Sequence, residues 1–221
     1  TWLLGDFAFA IWDPQRQELF CVRDHMGAKS FAYVEKGGRF AFASDSRSLA
    51  CLPWVGGQLN EDMLVQWFVP EHLGRERNQT WYKDVKALLP GTALKMRLGV
   101  TNSAFTYWSP QPADELVFRS EEESVEAFVE VFCRAVTRRL RSIEPPAVML
   151  SGGIDSAAII GALDRQFGGE RSGGVQTYSA LSDTVATCVE SQCILQLASR
   201  PWIRPHFLHV PSFTGVLGVG D

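Results

Sequence analysis

Seven consecutive residues, Leu150-Ser151-Gly152-Gly153-Ile154-Asp155-Ser156, carry the densest chemistry in this chain. They follow an apolar run, Ala147 to Leu150, and precede a helical pattern, so they read as a turn between a strand and a helix N-terminus. A turn of that kind points several main-chain N–H groups one way. The start of the helix adds about half a positive charge, which suits an anion such as phosphate. Gly152 and Gly153 let the backbone approach a ligand with no Cβ in the way. The hydroxyls of Ser151 and Ser156 can donate to phosphate oxygens. Asp155 is a carboxylate inside an anion-binding turn and repels phosphate unless a cation intervenes, so magnesium is its favoured partner. The kinase-type loop is excluded, because no G-x-x-x-x-G-K-[ST] occurs and no Lys follows. The bland alternative is a Gly-rich turn that merely starts a helix.

The string resembles the S-G-G-x-D-S pyrophosphate-binding loop of ATP pyrophosphatases of the asparagine synthase type. That resemblance implies cleavage of ATP between its α and β phosphates and activation of a carboxylate as an acyl-adenylate.

Around the loop the pattern is β-α-β. A strand runs to Leu150, a helix covers about Ser156 to Phe167 with Ile159, Ile160, Leu163 and Phe167 on one face, and Gly168-Gly169 ends it. A second strand spans Val175 to Ala180. A helix around Glu190 to Ala198 and a strand at His206 to Val210 continue the scheme. The pattern is that of a parallel, doubly wound sheet, whose ligands sit beyond the strand C-termini. Upstream, Ser120 with Glu123 forms a capping box, and Val125, Phe128, Val129, Phe132, Val136 and Leu140 recur at helical spacing. Pro145-Pro146 stops that helix, and Ser109-Pro110-Gln111-Pro112 is a linker candidate.

The first ~50 residues read as an antiparallel meander. Bulky Phe7, Phe9 and Ile11 share a face with small residues between them, and Glu18 to Val22 returns. Gly37-Gly38 closes a further hairpin between Phe31–Val34 and Arg39–Ala43. Asn60 caps a short helix over Glu61 to Phe68, residues 73–78 form a loop, and short strands follow at Leu88-Leu89 and at Ala93 to Leu98.

Composition narrows the function classes. The chain has 221 residues, enough for one large or two modest domains, and 46% hydrophobic with 21% charged residues describes a globular protein. A net charge of −4 without a basic block gives nucleic-acid binding no electrostatic support. No apolar run approaches the ~18 residues that span a bilayer. Five cysteines, Cys21, Cys51, Cys133, Cys188 and Cys193, are odd in number and irregularly spaced, which disfavours a disulfide framework or zinc site and fits reduced thiols in the cytoplasm. Cys188 and Cys193 read as buried core thiols. His206 and His209 fall on opposite faces of a strand, so they are not a metal pair.

With the loop in hand, further segments are similar to asparagine synthase (glutamine-hydrolysing). Gly5-Asp6-Phe7-Ala8-Phe9-Ala10-Ile11-Trp12-Asp13 resembles the family's G-x-F-A-F-A segment. Arg23-Asp24-His25-Met26-Gly27-Ala28-Lys29 resembles R-D-x-x-G-x-K, and Phe42-Ala43-Ser44-Asp45 resembles F-A-S-E. Leu89-Pro90-Gly91-Thr92 and Tyr107-Trp108 look like the landmarks between the two domains. The resemblance implies a fold of α+β then α/β. Residues 1–110 would be part of an N-terminal-nucleophile glutaminase-like domain and residues 111–221 part of an ATP-binding synthetase domain. It implies ATP and Mg2+ as cofactors, with aspartate, glutamine or ammonia as small-molecule partners, and dimerisation. By the same resemblance Leu150 and Ala180 offer backbone contacts to adenine, beside Ser151, Gly152, Gly153, Asp155 and Ser156 at the phosphates. Glu190 resembles an acidic position after the second strand. Nothing in the chain matches the family's N-terminal Cys nucleophile or its later catalytic Lys and acidic Gly-rich motif, so no catalytic residue is assigned and a partial chain is expected. The resemblance leaves three functional readings: an asparagine-forming ligase; a β-lactam synthetase or lasso-peptide macrocyclase type of ligase with a degenerate glutaminase half; and a non-catalytic ATP-binding remnant.

Overall fold

A computed structural model describes residues 3–69, 77–97, 103–111, 116–140, 146–167 and 174–210. The chain divides into two units, Thr1–Asp114 and Glu115–Asp221.

In the first unit the alternating segment expected near the N-terminus forms β1 (Ala8–Asp13), which pairs antiparallel with β2 (Glu18–Arg23). The next hairpin, β3 (Ala32–Lys36) and β4 (Arg39–Ala43), turns at Gly37-Gly38, both with positive φ. The two hairpins do not form one meander. They lie in separate sheets, because β2 takes its second partner from β6 (Thr92–Arg97), while β3 pairs with β5 (Val85–Ala87). The sheet orders are β1-β2-β6-β7, with β7 at Ser103–Thr106, and β4-β3-β5. The short strand expected at Leu88-Leu89 falls three residues earlier, and Leu88 leaves it as a buried plug, its N–H donating to the Phe31 carbonyl at 2.9 Å.

The two sheets enclose Cys21, Phe31, Leu88, Leu94 and Met96, with Ala8, Ala10, Tyr33 and Phe40 packed against them. It is the small alanines of β1 that face this core. The aromatic rings of β3 and β4 occupy the space that bulky residues on β1 would need, and Ile11 is left 56% exposed on the other face. Beyond the second sheet, Ala32, Val34 and Val85 pack with Leu49 and Val55 against α1 (Ser46–Ala50), a helix absent from the sequence reading although Asp45 caps it. The helix α2 (Glu61–Phe68) begins where Asn60 accepts from the N–H groups of Asp62 and Met63.

The second unit opens with α3 (Glu121–Arg139), whose Ser120 cap accepts from the N–H of Glu123 at 3.3 Å. The return half of the capping box is shifted by one residue, because the Glu123 carboxylate accepts from the N–H of Arg119. Three parallel strands follow, β8 (Ala147–Met149), β9 (Val175–Ser182) and β10 (Ile203–Val210), joined by α4 (Ile154–Phe167) and α5 (Val189–Ala198). Strand order is β10-β9-β8. Among the described residues the order advances one way only, without the reversal that double winding requires. Val148, Leu150, Ile160, Leu163, Val175, Leu181, Ile194 and Trp202 form one core between this sheet and its helices, and β9 alternates buried and open positions along its length. The linker candidate Ser109–Pro112 ends on a residue outside those described, as do Gly168-Gly169 and most of the loop expected at 73–78.

Candidate functional site: a serine-glycine loop against a second helix

Leu150 is 1% exposed, and its N–H donates to the Tyr178 carbonyl at 2.9 Å, which extends the β8–β9 pairing into the mouth of the loop. Beyond it the chain leaves the sheet. Gly152 adopts φ +80°, a conformation that L side chains disfavour, and α4 starts two residues later. The N–H of Ala157 donates to the Gly153 carbonyl at 3.1 Å, which closes the first turn of α4. The N–H groups at the beginning of that helix have no partner one turn back, so they and the dipole face the loop's concave side.

The two serines play different parts. Ser156 is buried, and its hydroxyl donates to the Gly153 carbonyl at 3.1 Å while accepting the N–H of Ser151 at 3.3 Å. In this arrangement Ser156 braces the loop from inside, beside the Ser151 hydroxyl. Ser151 is exposed. Its Oγ accepts the N–H of Gly153 at 3.4 Å and lies 3.1 Å from Ser156 Oγ, a contact in which either hydroxyl can be the donor. Asp155, in the first turn of α4, is exposed. Among the described residues no cluster of three or more His, Cys, Asp or Glu could hold a metal ion.

Ala180 lies on the open side of β9, paired in register with Leu208, two residues before the strand ends at Ser182. Leu150 and Ala180 thus stand on neighbouring strands at their carboxyl ends, the side on which ligands of parallel sheets bind.

One part of the site was not foreseen. A Cβ at position 152 would collide with the carbonyl oxygen of Glu190 and come within 3.0 Å of its Cα. Glu190 meets the loop through its main chain, and the first turn of α5 forms the loop's second wall. Cys188 is the N-cap of α5 and is half-buried, as is Cys193, so neither is the buried core thiol expected. All five cysteines are free. His206 stacks on Tyr178 with ring centroids 4.6 Å apart.

In the first unit the Arg23–Lys29 turn is built around Asp24, 1% exposed. Its carboxylate accepts the N–H groups of Met26, Ala28 and Lys29 at 2.9 to 3.1 Å. Burial pushes its pKa up, but the main-chain donors together outweigh burial and hold it below the ordinary value. The Arg23 guanidinium donates to three carbonyls, those of Lys29, Leu88 and Gly27. The Tyr107 hydroxyl donates to the Arg23 carbonyl at 2.7 Å. The side chains of Arg23 and Asp24 bond to main-chain groups, which makes this turn architecture. A groove of about 920 Å³ along Gln58–Asp62 and Lys83–Lys86 contains none of the loop residues, so concavity alone does not locate the loop.

The class of protein follows from family comparison. The model of the glutamine amidotransferase domain matches residues 1–130, and that of asparagine synthase matches residues 127–210. The chain belongs to the asparagine synthase (glutamine-hydrolysing) family, as a glutamine amidotransferase domain continued by an asparagine synthase segment. Asparagine synthetase [glutamine-hydrolyzing] 3 of Bacillus subtilis is 33% identical over 204 residues, 91% of this chain and 32% of the relative. Asparagine synthetase [glutamine-hydrolyzing] 2 of the same organism is 29% identical over 230 residues, 99% of this chain and 29% of the relative. Amidase chyE of Penicillium rubens is 33% identical over 164 residues, 72% of this chain and 23% of the relative. The chain therefore spans at most about a third of the length of these relatives.

Proposed function

We propose that this chain is the part of an AMP-forming ligase that joins a glutaminase-like domain to the nucleotide loop of a synthetase. The observation that carries the reading is the loop itself: an exposed serine hydroxyl, a helix N-terminus and one exposed carboxylate at the carboxyl end of a parallel strand. In this reaction a substrate carboxylate attacks the α phosphorus of ATP, an acyl-adenylate forms, and pyrophosphate leaves. Ser151, the N–H groups at the start of α4 and the helix dipole stabilise charge that grows on the departing pyrophosphate. Asp155 would hold a magnesium ion, whose charge would offset that of the phosphates. Leu150 and Ala180 offer main-chain groups to adenine, where a change of side chain is tolerated. In the complete reaction ammonia released from glutamine attacks β-aspartyl-AMP, AMP leaves, and asparagine forms. We place this ligase in the cytoplasm, as a homodimer.

The relatives named amidases favour a second reading, in which the adenylation is kept and another amine or carboxylate is used, as in β-lactam synthetases or macrocyclases. The test is turnover of MgATP by the full-length protein with aspartate and either glutamine or ammonia. Release of AMP, pyrophosphate and asparagine supports the first reading. AMP and pyrophosphate with other carboxylates, independent of glutamine, move the assignment to the second. Nucleotide binding without pyrophosphate release from any carboxylate reduces the chain to a binding remnant and refutes both.

A further inference from the structure

Ser191, in the first turn of α5, is 1% exposed. Its hydroxyl accepts the main-chain N–H of Ser182 at 3.0 Å, at the last residue of β9. The Ser191 hydroxyl, and then its own N–H, also hold the Cys188 thiol at the N-cap below its ordinary range. Glu190, in the same turn, sets its carbonyl against Gly152. One buried hydroxyl thus ties the end of the strand that carries Ala180 to the helical turn on which the phosphate loop rests. We infer that Ser191 is a positioning residue of the nucleotide site, setting the distance between the first turn of α5 and Gly152 and hence the direction of the loop's N–H groups.

The inference rests on the loop's binding the phosphates of ATP, and it extends that reading to a residue remote from them. Without the Ser191 acceptor, the N–H of Ser182 is left unsatisfied between strand and helix. The strand end and the helix start are then free to separate. Gly152 has no side chain with which to follow the Glu190 carbonyl, so the loop loses its wall. A serine that only caps α5 would lower helix stability and leave nucleotide affinity alone.

Binding of MgATP and of magnesium pyrophosphate to the full-length protein, measured by titration calorimetry, separates the two roles. Ser191→Ala is expected to bind both about tenfold more weakly, and Ser191→Cys, which keeps the volume and weakens the acceptor, less so. Alkylation of Cys188, followed by peptide mass in Ser191→Ala, is expected to slow as the thiol loses its hydroxyl donor. A variant that is folded at the assay temperature and binds MgATP like the parent overturns the inference. So does a loss of affinity with the Cys188 rate unchanged. If the parent chain binds neither probe, or Ser151→Ala binds as tightly as the parent, the phosphate-loop reading itself falls, and Ser191 with it.

Discussion

Replacing Gly152 by alanine asks two things of the loop at once. The residue must hold φ +80°, and its new Cβ must share space with the Glu190 carbonyl. The first costs about 1–2 kcal/mol for any L residue in the left-handed region. The second is a backbone collision that no rotamer change relieves, so strand and helix must part, at a cost of about 1–3 kcal/mol. Gly152→Ala should therefore lose at least about 2 kcal/mol in the second unit. At roughly 4–8 °C per kcal/mol, its melting temperature falls by about 8 °C or more. Gly161, inside α4, supplies the opposite sign, because it has nothing within 4 Å of an added Cβ. Gly161→Ala should gain about 0.5–1 kcal/mol from helix propensity and the smaller entropy of the unfolded chain. Calorimetric melting of both variants with the parent is the assay. Gly152→Ala within 0.5 kcal/mol of the parent, or Gly161→Ala below it, would refute the packing described for this loop.

Asp24→Asn places an amide donor where the Lys29 N–H now meets a carboxylate oxygen, and should cost the first unit about 2 kcal/mol at neutral pH. Because the folded pKa of Asp24 is depressed, its contribution is complete above the unfolded value near 3.9 and fades as pH falls through the folded value. Urea midpoints of parent and variant should thus converge below about pH 4, and a gap that widens there would contradict the assignment. The buried Thr177 hydroxyl has no hydrogen-bond partner among the described residues, so Thr177→Val should raise stability by about 0.5–1 kcal/mol in denaturant titration. Cys21 is fully buried, and burial pushes its thiol pKa up to about 12. Mass-resolved alkylation of the native chain should label Cys51 and Cys188 readily and Cys21 only on unfolding.

What the sequence made legible was local chemistry. The Asn60 and Ser120 caps, the Gly37-Gly38 turn and the strand–loop–helix around Ser151 each depend on residues a few positions apart. The separation of two hairpins into two sheets was not legible, because it is decided by β6 and β5, which arrive some fifty residues or more later in the chain. The β1 pattern gave the two faces but not which one is buried, since the aromatics of the opposing sheet decide that. At the loop, residue types marked a candidate, but the inward turn of Ser156 and the wall made by Glu190 depend on hydrogen bonds and a backbone approach that leave no mark in composition. Glu190 stands out in the sequence for its charge, yet it is its carbonyl that meets the loop.

The strand β2 has a consequence for how this protein is made. Its edge pairs with β6 through partners such as Glu18 and Arg97, 79 residues apart. On a ribosome the first hairpin is therefore finished long before its neighbour exists, and it presents an open, apolar strand edge in the meantime. Such edges recruit other chains. By contrast, β8, α4 and β9 follow one another directly and can close as they emerge. The first unit is thus the slower and more aggregation-exposed of the two, and dependence on a chaperone that covers strand edges should map to residues 18–97.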